Sequence, residues 1–188
     1  MIMAILPIVT YNDPVLRKKT KPVTENGIEL QELIDNMFET MYNSNGVGLA
    51  APQIGKSVQL FVTDTDEMIN EDEGEKKYGP LVFINPVIDS LEGEKVKYEE
   101  GCLSIPELRD EVTRPEIVTV SYLDREFNSK KFIATGWMSR VIQHEYDHLK
   151  GILFIDHLSA FKRRLHKKKL QQIDKGRLET DYPLVPRI

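Results

Sequence analysis

The chain has little cysteine: one residue, Cys102, among 188. A lone thiol excludes an intramolecular disulfide and fits a reducing compartment, so the question becomes what that thiol does. Positive charge is not in excess either. Twenty-five lysines and arginines stand against thirty aspartates and glutamates, for a net charge of −5. That balance speaks against a general nucleic-acid binder, and no DNA partner is expected, although a local basic patch remains open. Long apolar runs are missing. The stretch from Met1 to Val9 is apolar, but it lacks a basic flank, contains Pro7 and is too short to span a bilayer. It reads as an edge or lead-in segment. With no signal or transit peptide and no membrane span, the expected location is the cytoplasm.

What is present reads as one α+β domain. A length of 188 residues, 40% apolar and 29% charged, suits a single core that needs no staples. Asp13-Pro14 is a helix or turn start, with Asp as cap and Pro at the first position. Leu30, Leu33, Ile34, Met37, Phe38, Met41 and Tyr42 recur at three and four, which predicts an amphipathic helix ended by Asn43-Ser44-Asn45-Gly46. From 57 to about 135 the pattern changes to short β-branched and aromatic runs, at 58–62, 81–84 and 117–122, broken by Pro, Gly, Asn and Asp. Pro106 is read as ending a strand. The polar segment 66–79 reads as a solvated loop. Helical spacing returns at Trp137, Val141, Ile142, Tyr146 and Leu149, stopped by Gly151. A last helix is expected from Ser159 to about Lys175, before a tail containing Tyr182.

The helix from Trp137 to Leu149 contains Gln143-His144-Glu145-Tyr146-Asp147-His148. Two histidines four apart share one helix face, with Cβ atoms roughly 6 Å apart, close enough for two imidazoles to bind one ion. Glu145 is next to the first and within reach of a water on that ion, which is the mechanical content of a His-Glu-x-x-His pattern. The plainer reading is two ordinary histidines on a helix. A catalytic site of this kind typically has three protein ligands and an open position. Downstream candidates are weak: His157 is nine residues past His148, and a metzincin-type extension would need histidine where Phe154 stands. Cys102 is the better third ligand, since thiolate binds soft and borderline divalent ions well. A lone cysteine is ordinarily a small buried hydrophobe, but Glu100-Gly101 beside it is unusual for a core strand.

Three segments then converge. Gly46-Val47-Gly48-Leu49-Ala50-Ala51-Pro52-Gln53, Glu100-Gly101-Cys102-Leu103-Ser104 and Gln143-His144-Glu145-Tyr146-Asp147-His148 resemble, in order, the three signature motifs of the peptide deformylases. The resemblance extends over nearly the whole chain. It implies a bacterial-type metal-dependent hydrolase that removes the formyl group from N-formylmethionyl nascent peptides and releases formate. It implies Cys102, His144 and His148 as metal ligands, Glu145 as general acid/base and Gln53 as a site residue. The implied ion is Fe2+, with Zn2+, Ni2+ or Co2+ in purified forms; one sulfur and two nitrogens alone favour zinc. The expected fold is antiparallel β-sheets packed around a central metal-binding helix, flanked by the N-terminal amphipathic helix and a C-terminal helix. Residues 1–188 form a single catalytic domain, with the basic helix and tail at about 159–188.

A tetrahedral intermediate needs donors aimed at its oxyanion, and Gln53 and the Leu103 backbone N–H are the candidates. Without the resemblance, Gln53 would read as a surface amide after a turn. Val47, Gly48, Gly101, Arg109, Trp137 and Val141 are the substrate-binding candidates, with ordinary core packing the alternative for Trp137. Arg140 is a further candidate for the wall of the methionine pocket; it is less apolar than such a pocket usually wants, but its aliphatic stem can line the rim. Arg109 is a candidate for the substrate backbone or its approach, and Arg114 for pairing with Asp147 or Glu100. The basic cluster Lys162, Arg163, Arg164, Lys167, Lys168 and Lys169 reads first as a solvated face; the sharper reading is contact with ribosomal RNA. His157 and His166 read as structural or solvent-facing. Two rival functions remain: a metallopeptidase that cleaves internal peptide bonds, and a non-catalytic metal-binding homologue.

Overall fold

The computed structural model describes residues 3–69 and 76–186. Strand β1 (Ile8–Val9) leads into a 3-10 turn, Pro14–Arg17. Helix α1 (Ile28–Asn43) follows, then strands β2 (Gly48–Ala50), β3 (Leu60–Thr63), β4 (Leu81–Cys102), β5 (Ile105–Leu123) and β6 (Ser129–Ala134). Helices α2 (Gly136–Lys150) and α3 (Ala160–Asp174) and strand β7 (Leu184–Val185) complete the order. The result is a mixed fold: an antiparallel sheet in the order β2-β3-β4-β5-β6, three helices, and a separate parallel pair, β1 with β7. Among the described residues no helix is long and apolar enough to cross a membrane.

Alternation along the inner strands explains the layering. Leu60, Val62, Val82 and Ile84 pack with Ile34, Met37 and Met41 of α1 on one face. Phe61, Phe83, Val118 and Val120 pack with Met138, Ile142 and Leu149 of α2 on the other. Because side chains alternate between faces, a strand covered on both sides reads as a continuous apolar run, which is why Leu60–Thr63 is buried throughout. Tyr42, expected on the apolar face of α1, is instead exposed and donates its hydroxyl to Asp64 at 2.7 Å. The turn before α1 forms as its residues predict, with the Asp13 carboxylate accepting from the Val15 N–H.

The strands correct the reading most. β4 and β5 run 22 and 19 residues, far longer than the apolar runs inside them. The apparent breakers sit where the ladder slips. Pro86 lies within the irregularity between Ile84 and Val87, and Gly93 within the one between Glu92 and Lys95, at whose edge Pro115 pairs with Lys95. A bulge leaves a residue out of the ladder, so a proline or a left-handed glycine costs no pairing there. Pro106, expected to end a strand, is the second residue of β5. In segment 66–79, residues 70–75 lie outside the described residues; the ends are ordered by Asp66, whose carboxylate accepts from the Tyr78 and Gly79 N–H groups. The lead-in and tail segments meet each other as β1 and β7, a pairing with no sequence signal.

Helix α2 lies across β2, β3, β5 and β6 and is buried along most of its length, including Arg140, Gln143, His144, Glu145 and His148. It stops at Gly151, whose φ of 78° is left-handed. A side chain there would meet the Arg17 backbone at 2.7 Å, so glycine also allows the Pro14–Arg17 turn to close on the helix end.

Candidate metal centre

His144 and His148 project from one side of α2, one helical turn apart, with ring centroids 5.1 Å from each other. Cys102 arrives from the last position of β4, just after the register slips between Gly101 and Cys102. The three ligand atoms lie within 4.8 Å of one another, the only such group of three or more among the described residues. Cys102 Sγ is 3.4 Å from His148 Nε2. A sulfur and a nitrogen sharing a tetrahedral ion, at about 2.3 Å and about 2.1 Å from it, would stand about 3.5 Å apart. The donors therefore fit a single divalent ion in both chemistry and spacing. His157 and His166 are not part of this group: they lie 2.7 Å from Asp147 and Asp110 carboxylate oxygens.

Behind the donors is a buried charge network. Glu100 sits two positions before Cys102 and is 5% exposed. Its Oε2 lies 2.9 Å from His144 Nδ1, which directs the other ring nitrogen toward the thiol. Glu100 also accepts from Arg114 Nε at 2.7 Å and from Arg140 Nη1 at 2.8 Å. Arg114 reaches on to Asp147 at 2.7 Å. Burial works against charge on Glu100, but the hydrogen bonds from His144 and Arg114 hold its carboxyl well below the usual carboxylate range. Arg114 therefore pairs with both acids named for it from the sequence. Arg140 does more than expected: its guanidinium turns inward to Glu100 and to the Val112 and Val96 carbonyls. Which strand and helix positions would meet was not readable beforehand, so this second arginine on Glu100 was missed.

Glu145 differs from Glu100. It is 4% exposed, and its Oε2 is buried with no hydrogen-bond partner among the described residues. Burial outweighs the attraction of His144 and pushes its carboxyl up to about 7. It lies over the backbone of Gly48, where a Cβ would sit 2.5 Å from Oε1. Gln53 is buried at 1% exposure, contrary to the surface-amide reading. Its Oε1 accepts from the Ala50 N–H at 2.8 Å, so the NH2 end points to Cys102 Sγ at 3.5 Å.

A cavity of about 470 Å³ opens over this group. Val47, Gly48, Gln53, Gly101, Cys102, Leu103, Arg109, Trp137, Val141, His144 and Glu145 all border it. Of the site residues named from the sequence only His148 does not; it lies behind, 1% exposed. Arg109 packs against Gly101 at the cavity wall, while Arg114 stays in the network behind. Trp137 is half-buried, borders the cavity and lies against the exposed Tyr98 ring, outside the hydrophobic core among the described residues. Met68, Glu107, Leu108 and Tyr182 also line it and were not foreseen. Leu108 follows the strand alternation; Tyr182 is 79 positions from the turn it contacts and carries no local signal.

A family described as polypeptide deformylase matches residues 5–164. A peptide deformylase of Salinibacter ruber is 50% identical, covering 97% of this chain and 95% of the relative. One of Flavobacterium psychrophilum is 47% identical, covering 97% and 98%. Among solved structures, a peptide deformylase from Ehrlichia chaffeensis in complex with actinonin aligns with a TM-score of 0.83 at 39% identity, over 94% of this chain and 100% of that one. A peptide deformylase from Legionella pneumophila aligns with a TM-score of 0.81 at 44% identity, over 92% and 96%.

Proposed function

Because the chain belongs to the polypeptide deformylase family, we propose that Cys102, His144 and His148 hold one divalent metal ion and that Glu145 transfers the proton as the N-terminal formyl group is removed from formyl-methionine on new polypeptides. The observation that carries this reading is the meeting of ion-spaced sulfur and nitrogen donors with a buried, unpartnered carboxyl at one cavity. In this reading the antiparallel sheet and α1 surround a metal-binding helix, α2. Residues 1–188 act as one catalytic domain, with the basic helix and tail at 159–188. Ferrous iron is the ion we propose, with zinc, nickel or cobalt able to replace it.

When bound, the ion supplies Lewis acidity, which lowers the pKa of a water and polarises a carbonyl. Glu145 takes a proton from the attacking water as its oxygen bonds to the formyl carbon. It holds that proton and delivers it to the methionine nitrogen as the C–N bond breaks, leaving formate and a free amine. A carboxyl pushed up to about 7 is suited to both halves of that exchange at neutral pH. Charge building on the formyl oxygen is met by the Gln53 amide and the Leu103 N–H. Fixing Gln53 Oε1 on the Ala50 N–H supports this role, since it commits the NH2 end to the site. β2 is an edge strand, so a peptide can lie along it at Gly48 by strand addition. Val47, Trp137 and Val141 then enclose the methionine side chain, and Gly101 and Arg109 border the chain beyond. The substrate in this reading is a nascent chain, and the location we propose is the cytoplasm.

The rival is a metallopeptidase. Release of formate from a formyl-methionyl tripeptide, without free amino acids, fits the present reading; free amino acids without formate fit the rival.

The basic helix α3 is the proposed ribosome contact. Lys162 is held by Asp110 and Lys169 by Glu107, both on β5. Arg163, Arg164, Lys167 and Lys168 are exposed, with no ion-pair partner among the described residues. A row of free cations suits a phosphate backbone. Charge reversal at these four positions is expected to weaken co-sedimentation with ribosomes and to spare activity on short formyl peptides. Unchanged co-sedimentation would sink the idea.

A further inference from the structure

The cavity wall extends beyond the part of the chain that the family match covers. That match ends at residue 164, yet Tyr182 borders the cavity beside Cys102 and Leu103. Its hydroxyl donates to the Leu103 carbonyl at 2.9 Å. The next carbonyl, of Ser104, accepts from the Tyr11 N–H, also at 2.9 Å.

These two carbonyls belong to a demanding place. Cys102 pairs with Ile105, so Leu103 and Ser104 are the two-residue turn between β4 and β5. Turn carbonyls have no ladder partner, and here each is held by a donor from a distant segment instead. Those segments are tied together in turn. β1 and β7 pair in parallel, the Ile8 N–H donates to the Pro183 carbonyl, and the Thr10 N–H donates to the Val185 carbonyl. The segments before and after this pair thus form one clamp on the turn that follows the candidate thiolate ligand.

We propose that Tyr182 is a positioning residue for the deformylation site: by holding the Leu103 carbonyl it fixes the Leu103–Ser104 peptide plane and so limits rotation at Leu103, whose own N–H lies in the preceding peptide unit and meets the formyl oxygen. This rests on the reading above, in which that N–H meets the developing charge. A donor contributes to catalysis only when it is already aimed where the charge appears, and removing one outright costs about a hundredfold or more in kcat. Loosening it costs less. The alternative, that the ring merely packs against the core cluster that includes Ile8 and Met41, needs no hydroxyl.

Tyr182→Phe in the full-length, metal-loaded chain separates the two, because it keeps the ring. The expected result is a kcat on a formyl-methionyl tripeptide lowered about tenfold with KM changed less than about twofold. Amide hydrogen exchange at Tyr11, whose N–H is bonded to the Ser104 carbonyl of the same turn, should speed up by about tenfold, while the melting temperature moves by no more than about 3 °C. Unchanged kcat beside an active wild type overturns the proposal. So does a lowered kcat with exchange at Tyr11 unaltered, or a lowered melting temperature with kcat intact. An inactive wild type overturns instead the reading on which it rests.

Discussion

Replacing Glu145 by Gln is expected to lower the deformylation rate by about a thousandfold while leaving metal content at the wild-type level. The substitution keeps shape and removes the ability to accept a proton. The side chain is 4% exposed and has no hydrogen-bond partner on Oε2 among the described residues, so an amide of the same outline fits the space. Glu145 is not among the three donors, and the contacts of Glu100 with His144 and Arg114 are untouched by the change. Metal analysis and a formate assay on the same preparation check both halves. Full activity in the metal-loaded variant would remove Glu145 from the proton path. Loss of metal together with activity would mean that the carboxyl serves the ion rather than the proton.

A second large effect is expected from one methyl group. Gly48→Ala puts a Cβ 2.5 Å from Glu145 Oε1, 2.9 Å from its Cδ and 2.9 Å from Val141 Cγ1. Glu145 and Val141 are both buried and border the cavity, so the crowded carboxyl yields toward the cavity and away from its place. β2 cannot slide away easily, because Gly48 pairs with Thr63 of β3. The carboxyl is therefore displaced, and a shift of about 1 Å at a reacting group can cost about a hundredfold. Overpacking of this kind destabilises by about 1–3 kcal/mol, too little to unfold a typical domain. The expected variant is folded and metal-loaded, with kcat down about a hundredfold. Steady-state kinetics beside a thermal melt test this; wild-type kcat in a folded Gly48→Ala would show that the position of this carboxyl does not limit the reaction.

Both predictions use residues that were readable beforehand, for different reasons. His144 and His148 were legible because helical spacing converts a sequence interval directly into a shared face. Cys102 stood out through the acidic and glycine neighbours that a core cysteine does not usually have. Its place with the histidines could only be proposed, because nothing local says where a strand end meets a helix. The same limit hid Arg140 on Glu100 and Tyr182 on Leu103, contacts across 40 and 79 positions. Helices α1, α2 and α3 were legible almost to their ends, since caps and periodicity are local. β4 and β5 were not, because bulges absorb Pro86 and Gly93, residues that in isolation mark the end of a strand, and Pro115 sits at the edge of one. Gln53 illustrates a further limit. Its type and its turn suggest a surface amide, and only the fold brings Cys102 against it.

The central claim is that Cys102, His144 and His148 carry one ion that makes this chain a deformylase. The direct measurement is formate release from a formyl-methionyl tripeptide by anaerobically purified protein, before chelation, after chelation and after return of one equivalent of ferrous ion. The account predicts formate without free amino acids, loss of activity on chelation, and recovery at one ion per chain. Formate release that persists in the chelated protein, or free amino acids in place of formate, would contradict it.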